Sequence, residues 1–316
     1  MALGVDGVRV GCWTDREHHT GCTVVLPPPG SQGAIAVRGG APGTREAAAL
    51  GPNGNVTECH AVVLSGGSAF GLATADGVVQ WCAERGIGYD TGVARVPIVG
   101  GAIVFDLRDA VAPRPGVAAG RAACAAASDA PPPEGSVGVG AGCTVGKTAG
   151  LRWGSKGGQG WAVSSAGGVT VGALMAVNAL GDVLDEHGQV LAGSRAPAGA
   201  PRFPAASRTE IFARAAEAPQ HTVIGCLVTD ARLSKAEAVR AADLAHTGIA
   251  RSVDPAHTTA DGDALFLLSA QRVEAGIDLV AHLGARAVAA AIRSAVRHAD
   301  GMPGFPPDPR AGRAGA

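Results

Sequence analysis

The chain has 316 residues, 26 Lys+Arg against 27 Asp+Glu, and 47% hydrophobic content. That length can bury a substantial core, and the near-zero net charge gives no electrostatic reason to expect a nucleic-acid partner. Aromatic residues make up only 3%, which argues against a base-stacking surface.

Taken in chain order, short apolar runs alternate with glycine-rich punctuation. Residues 22–26 read as a strand stopped by Pro27-Pro28-Pro29-Gly30. The run 61–65 reads as a strand feeding Gly66-Gly67, with a helix over 68–84 N-capped by Ser68. Residues 98–107 and 169–177 read as buried strands. The Pro/Ala/Gly-rich stretch 111–135 and the polar stretch 186–208 read as loops. A strand follows at 221–229, and Ser234 with Glu237 has the spacing of a capping box opening a helix to about 250. Asp261-Gly262-Asp263 reads as a turn, 264–270 as a strand and 276–298 as an Ala-rich helix. The coarse class is mixed α/β.

The seven cysteines form no C-x-x-C pair and describe neither a disulfide framework nor a zinc knuckle. No H-E-x-x-H occurs, so no protein metal site is expected. The N-terminus shows no signal-peptide pattern and no long uncharged apolar run is present, so the expected location is cytoplasmic. Ala141–Thr148 has nearly the spacing of a phosphate loop. Gly150, Gly154, Gly157 and Gly158 follow, and they deny it the helix whose N-terminus such a loop needs. Nucleotide binding there is the weaker of two alternatives. Leu64–Gly71 is glycine-rich around serine but is not G-x-S-x-G.

Long, unusual strings point further. These are Gly7–Gly11, Val37–Glu46 (VRGGAPGTRE), Leu64–Gly77 (LSGGSAFGLATADG), Pro97–Val99 with Ile103–Asp106, Val169–Asn178, Thr222–Asp230, and Ala245-His246 through Ala256-His257-Thr258 to Asp261-Gly262-Asp263. In this order and over nearly the whole chain, the sequence resembles the L-aminopeptidase/D-esterase family, which includes β-aminopeptidases and nylon-oligomer endohydrolases. The resemblance implies one hydrolase domain, 1–316, with a four-layer αββα sandwich, no cofactor, and assembly as a homo-oligomer, a tetramer or larger. It also implies a precursor that cuts itself once, exposing an N-terminal nucleophile.

By the same resemblance the cut is expected between His257 and Thr258, giving chains 1–257 and 258–316, with Thr258 as nucleophile. A freed α-amino group, with a reference pKa of about 7.7–8.0, then serves as base on the same residue. The resemblance further assigns Asn178 to the oxyanion, Lys156 to an active-site lysine, and Asp278 to the second position of an acidic pair whose first position is Gly276. Asp261 and Asp263 are read as structural. The expected activity is cleavage of peptide or related amide bonds, aminohexanoate oligomers among them. A non-catalytic, uncleaved relative is the other alternative.

Overall fold

The computed structural model describes residues 1–108, 110–197 and 221–312. Ten strands build two five-stranded sheets. They are β1 (Arg9–Asp15), β2 (Thr20–Leu26), β3 (Gln32–Val37), β4 (Thr44–Arg45), β5 (Ala61–Ser65), β6 (Val99–Ile103), β7 (Gly158–Ala166), β8 (Val169–Asn178), β9 (Thr222–Arg232) and β10 (Ala264–Glu274). The first sheet runs β1-β2-β5-β6-β4 and the second β7-β8-β9-β10-β3. β8 pairs with β9 antiparallel, Asn178 opposite Thr222. β9 pairs with β10 in parallel.

Among the described residues, the helices of eight or more residues flank the sheets: α1 (Thr74–Ala83), α2 (Val117–Ala125), α3 (Lys235–Ala250) and α4 (Ile277–Arg297). Helices α1 and α2 pack with one another and on the first sheet, while α3 and α4 do so on the second. An apolar cluster joins side chains of both sheets, among them Val25, Val62 and Leu64 from the first and Leu174, Ile224 and Phe266 from the second. A second cluster joins β8, β9 and β10 to α3 and α4 through Val171, Leu227, Leu267, Ala245 and Val288. Alternating strand residues therefore face opposite apolar layers, which is why these strands read as continuous hydrophobic runs. Helix α4 is long and apolar enough to cross a membrane by length and composition. Its apolar stripe lies in that second cluster, as expected of a core helix.

The expected strands and the three longer helices occur within a few residues of their expected bounds, β10 running on to Glu274. The Ser234–Glu237 capping box is complete, each residue's side chain meeting the other's backbone N–H. Three expectations change. Ser68 is not an N-cap: it lies inside a 3-10 turn, Ser68–Ala73, with φ of 54° and no side-chain cap bond. The stretch 111–135 carries α2, whose small residues let it close on α1 at Gly77 and Gly120. The stretch 186–208 contains a short strand, Val190–Ala192, before passing outside the described residues at 198. All seven cysteines are free thiols.

Two of the unusual strings acquire physical reasons. In the RGGAPG run, the N–H groups of Arg38 and Gly39 donate to Asp263 O, Gly40 N–H to Thr258 O, and Ala41 N–H to Asp261 O. A Cβ at Gly39 would collide with the backbone of Asp261 and Asp263. In the LSGGS run, Gly67 N–H and the Thr20 hydroxyl donate to the buried Asp106 carboxyl at 2.6 and 2.7 Å, and Gly66 is pressed against that carboxyl.

Candidate active site

The chemistry-bearing side chains gather where β8 ends and β9 and β10 begin. Asn178, the last residue of β8, is 1% exposed. Its Nδ2 donates to Phe105 O at 2.9 Å, and its Oδ1 accepts from Thr144 N–H at 2.9 Å and Lys147 Nζ at 3.1 Å. Lys147 Nζ also donates to Asn178 O at 2.9 Å. Burial chiefly drives the Lys147 ammonium down to about 7, with Arg108 adding repulsion and the Asp261 carboxyl opposing it. A neutral amine with two N–H groups committed to Asn178 keeps a lone pair free.

Thr222 begins β9 directly across from Asn178 and is 3% exposed. Its hydroxyl donates to the carbonyl oxygen of the preceding residue, His221, at 2.5 Å. That same oxygen accepts Gly262 N–H at 2.8 Å, because His221 bridges to Asp261 in the parallel sense that β9 and β10 continue. The His221 imidazole is buried, and burial first, then Lys147, pushes its pKa down to about 2. It therefore stays neutral.

The Asp261-Gly262-Asp263 turn wraps this end of the sheet. Asp263 Oδ1 accepts Val223 N–H at 2.7 Å, fixing the residue next to Thr222. Its Oδ2 accepts His257 N–H at 3.1 Å and His257 Nδ1–H at 2.7 Å. Asp261 is pushed up above the ordinary carboxyl range, first by burial and then by the neighbouring Asp263 charge.

The expected site residues divide. Asn178 stands in the cluster. Thr258 precedes the turn, and its N–H and hydroxyl donate to Asp261 Oδ2 at 2.8 and 2.5 Å while its own carbonyl accepts Asp261 N–H. Such bonds close a turn. Lys156 is 1% exposed, but its Nζ donates to Gly140 O and Gly157 O at 2.8 and 2.9 Å. It braces the segment that carries Thr144 and Lys147, and Lys147 is the lysine at Asn178. Asp278 is an exposed residue in the first turn of α4. It follows the far end of β10, whose ten steps span roughly 30 Å of extended chain from the Asp261 turn. The acid pair in the cluster is Asp261 and Asp263, read above as structural.

Residues 141–148 form no phosphate loop. Thr144–Val145 is a short strand paired with Ser155–Lys156, no helix of the needed length follows, and Lys147 turns inward. Among the described residues no group of three or more His, Cys, Asp or Glu could hold a metal ion.

The sequence reading did not place Thr222 or Lys147 in this cluster and took Asp261 and Asp263 as structural. The first had a signal. Antiparallel neighbours place the end of one strand beside the start of the next, so a strand ending in Asn178 points to the residue opening β9. Lys147, one of three lysines, has no other charged residue beside it between Glu134 and Arg152, which points to a buried amine once the phosphate-loop reading is set aside.

Comparison with known proteins agrees with this architecture. Residues 3–308 match the model of peptidase family S58. An uncharacterized aminopeptidase of Mycobacterium tuberculosis is 40% identical over 336 residues, covering 96% of this chain and 95% of that protein. A 6-aminohexanoate-oligomer endohydrolase of Agromyces sp. is 32% identical over 277 residues, covering 85% of this chain and 74% of that one. Among solved structures, a Burkholderia sp. beta-aminopeptidase superposes with a TM-score of 0.71 at 22% identity, over 94% of this chain and 86% of that one. The L-aminopeptidase D-Ala-esterase/amidase of Ochrobactrum anthropi, described as a variant of the Ntn hydrolase fold, gives 0.71 at 22% identity, over 96% and 88%. At those identities the structural likeness concerns the fold. The mixed α/β fold is thus similar to that of the Ntn-hydrolase aminopeptidases, and the chain belongs to peptidase family S58, whose members include aminopeptidases and nylon-oligomer hydrolases.

Proposed function

We propose that this chain is a self-processing amidohydrolase with Thr222, in place of Thr258, as its nucleophile. One observation carries the reading: the Thr222 hydroxyl and the Gly262 N–H meet on the carbonyl oxygen of His221, beside the Lys147–Asn178 pair. The nucleophile lies against the bond it would cut, and a fixed backbone donor sits where negative charge would develop.

In self-cleavage, Thr222 Oγ attacks the His221 carbonyl carbon and its proton passes to the neutral Lys147 amine. The oxyanion is held by Gly262 N–H. The bond from His221 C to Thr222 N breaks, the nitrogen takes the proton back from Lys147, and an ester to Thr222 Oγ remains. Water opens that ester, leaving a His221 carboxylate and a free Thr222 α-amine. The α-amine then acts as base on its own hydroxyl during turnover, with Asn178 positioned for the oxyanion and Asp261 and Asp263 fixing the strand end. This reading makes the chains 1–221 and 222–316. The outward helices and facing sheets support the αββα arrangement, shared between the two chains.

The substrates proposed are peptides or related amides at accessible chain ends, including 6-aminohexanoate oligomers, the substrate in the name of the Agromyces relative. Intact mass under denaturing conditions, with N-terminal sequencing of the smaller fragment, tests the reading. A fragment beginning Thr222-Val223-Ile224 supports it. A fragment beginning Thr258 or a chain that stays whole overturns it. Release of amine from α-aminoacyl, β-aminoacyl and aminohexanoyl amides then ranks the substrate classes.

A further inference from the structure

His257 lies beside the reacting residues without belonging to them. It is a non-glycine residue at φ of 57°, a backbone region that costs about 1 kcal/mol or more and persists where surrounding contacts enforce it. The enforcing contact is with Asp263: the His257 backbone N–H and ring Nδ1 both reach one oxygen of that carboxylate. The other oxygen of that carboxylate holds Val223 N–H. Asp263 is 1% exposed.

The ring is held from behind by His246, whose centroid lies 5.0 Å away at an interplanar angle of 65°. His246 is fully buried and its Nε2 meets Ala36 O at 3.1 Å. His246 Nδ1 and His257 Nε2 find no hydrogen-bond partner among the described residues. His246 fits as a neutral tautomer whose Nε2–H faces the Ala36 carbonyl, and the Nδ1–H of His257 faces the Asp263 carboxylate.

We infer that His257 is a positioning residue for the cleavage reaction, acting through the His257–Asp263–Val223 chain of contacts to hold Thr222 against the His221 carbonyl. The inference rests on the Thr222 reading. Without the Nδ1–H donor, Asp263 Oδ2 keeps only the longer bond from His257 N–H at 3.1 Å, and the carboxylate is held less firmly. The Val223 N–H is then fixed less firmly, and the Thr222 hydroxyl, four covalent bonds away, loses its register. The turn itself remains, because the Arg38, Gly39 and Ala41 N–H bonds hold its backbone independently.

The test compares His257→Gly with His257→Asn in the full chain. Both residues accept a positive φ, so neither adds backbone strain. Asn offers a donor near the place of Nδ1, and Gly offers none. Self-cleavage followed by intact mass is expected to slow about 10- to 100-fold in His257→Gly, the range of one charge-assisted hydrogen bond. It is expected to recover to within several-fold of the parent in His257→Asn, and on adding free imidazole to His257→Gly. Melting curves of the two variants check that both fold. If folded His257→Gly cleaves at the parent rate, or if imidazole and Asn both fail to restore a slowed one, the inference is overturned while the Thr222 reading stands. If Thr222→Ala still cleaves, or the parent never does, the Thr222 reading fails and the inference with it.

Discussion

Gly262 donates its N–H to the His221 carbonyl oxygen at 2.8 Å, and Thr222 puts its hydroxyl on that same oxygen from the other strand. A Cβ built on Gly262 would stand 3.0 Å from Thr222 Oγ1 and 3.0 Å from Ala41 O. Gly262→Ala is therefore expected to crowd the nucleophile and slow self-cleavage by at least tenfold, with loss of about 1–3 kcal/mol of stability from overpacking. A time course of intact mass beside a denaturant melt checks both. Cleavage at the parent rate would show that the crowded contact has no part in the reaction.

Thr222→Ala is expected to leave the chain whole, and Thr222→Ser to cleave. Thr258→Ala is expected to cleave, losing about 1 kcal/mol of stability from its turn-closing bonds to Asp261. Electrophoresis of the three variants after equal incubation separates the two threonines directly.

Lys147 carries opposite consequences for rate and stability. Its folded pKa of about 7 lies below the unfolded value of about 10.4. The unfolded chain therefore binds more protons between those values, and this group's contribution to stability rises with pH across that window. Below pH 7 the folded protein must bury the charge. Lys147→Met is expected to abolish cleavage yet raise the melting temperature, most strongly at pH 6 and less at pH 9. In the parent, the cleavage rate should climb with pH through about 7 as the amine becomes neutral. A flat profile between pH 6 and 8 would exclude Lys147 as the base.

Asp278→Asn is expected to change cleavage and amide hydrolysis by less than twofold. The side chain is exposed at the start of α4, where its carboxylate contributes about 0.3–1 kcal/mol through the helix dipole. Steady-state hydrolysis rates with a thermal melt are sufficient to check this.

The strands are legible because both sheets are covered on both faces, so β2, β5, β8 and β9 are predominantly apolar rather than alternating. The Ser234–Glu237 box was legible because a cap is a local interaction. The site was legible only in part. Asn178 ends a readable strand, but the partner of a strand end is set by sheet order, and β9 lies between β8 and β10 while being separated from each by a long stretch of chain. The Asp261 turn reads as an ordinary D-G-D turn until β3 and the RGGAPG run fold over it. Thr258 adjoins that turn in sequence and bonds to Asp261, while Thr222 is remote in sequence and in contact with Gly262. Lys156 lies opposite Thr144 in a short two-stranded pairing while Lys147 follows that strand after Gly146, a difference that composition does not encode.

The order of the second sheet, β7-β8-β9-β10-β3, has a consequence for a chain cut before Thr222. Strands β9 and β10 would then belong to the smaller piece and form the middle of a sheet whose outer strands belong to the larger one. The pieces would meet along two seams, β8 with β9 and β10 with β3, neither of which opens without exposing a row of unpaired backbone groups. Nicking would leave the fold standing while turning its assembly from a one-molecule event into a two-molecule one. Once melted and diluted, the cut protein should regain its structure at a rate that depends on concentration, whereas Thr222→Ala should refold at a rate that does not. The molecule would carry its folding history as a missing covalent bond.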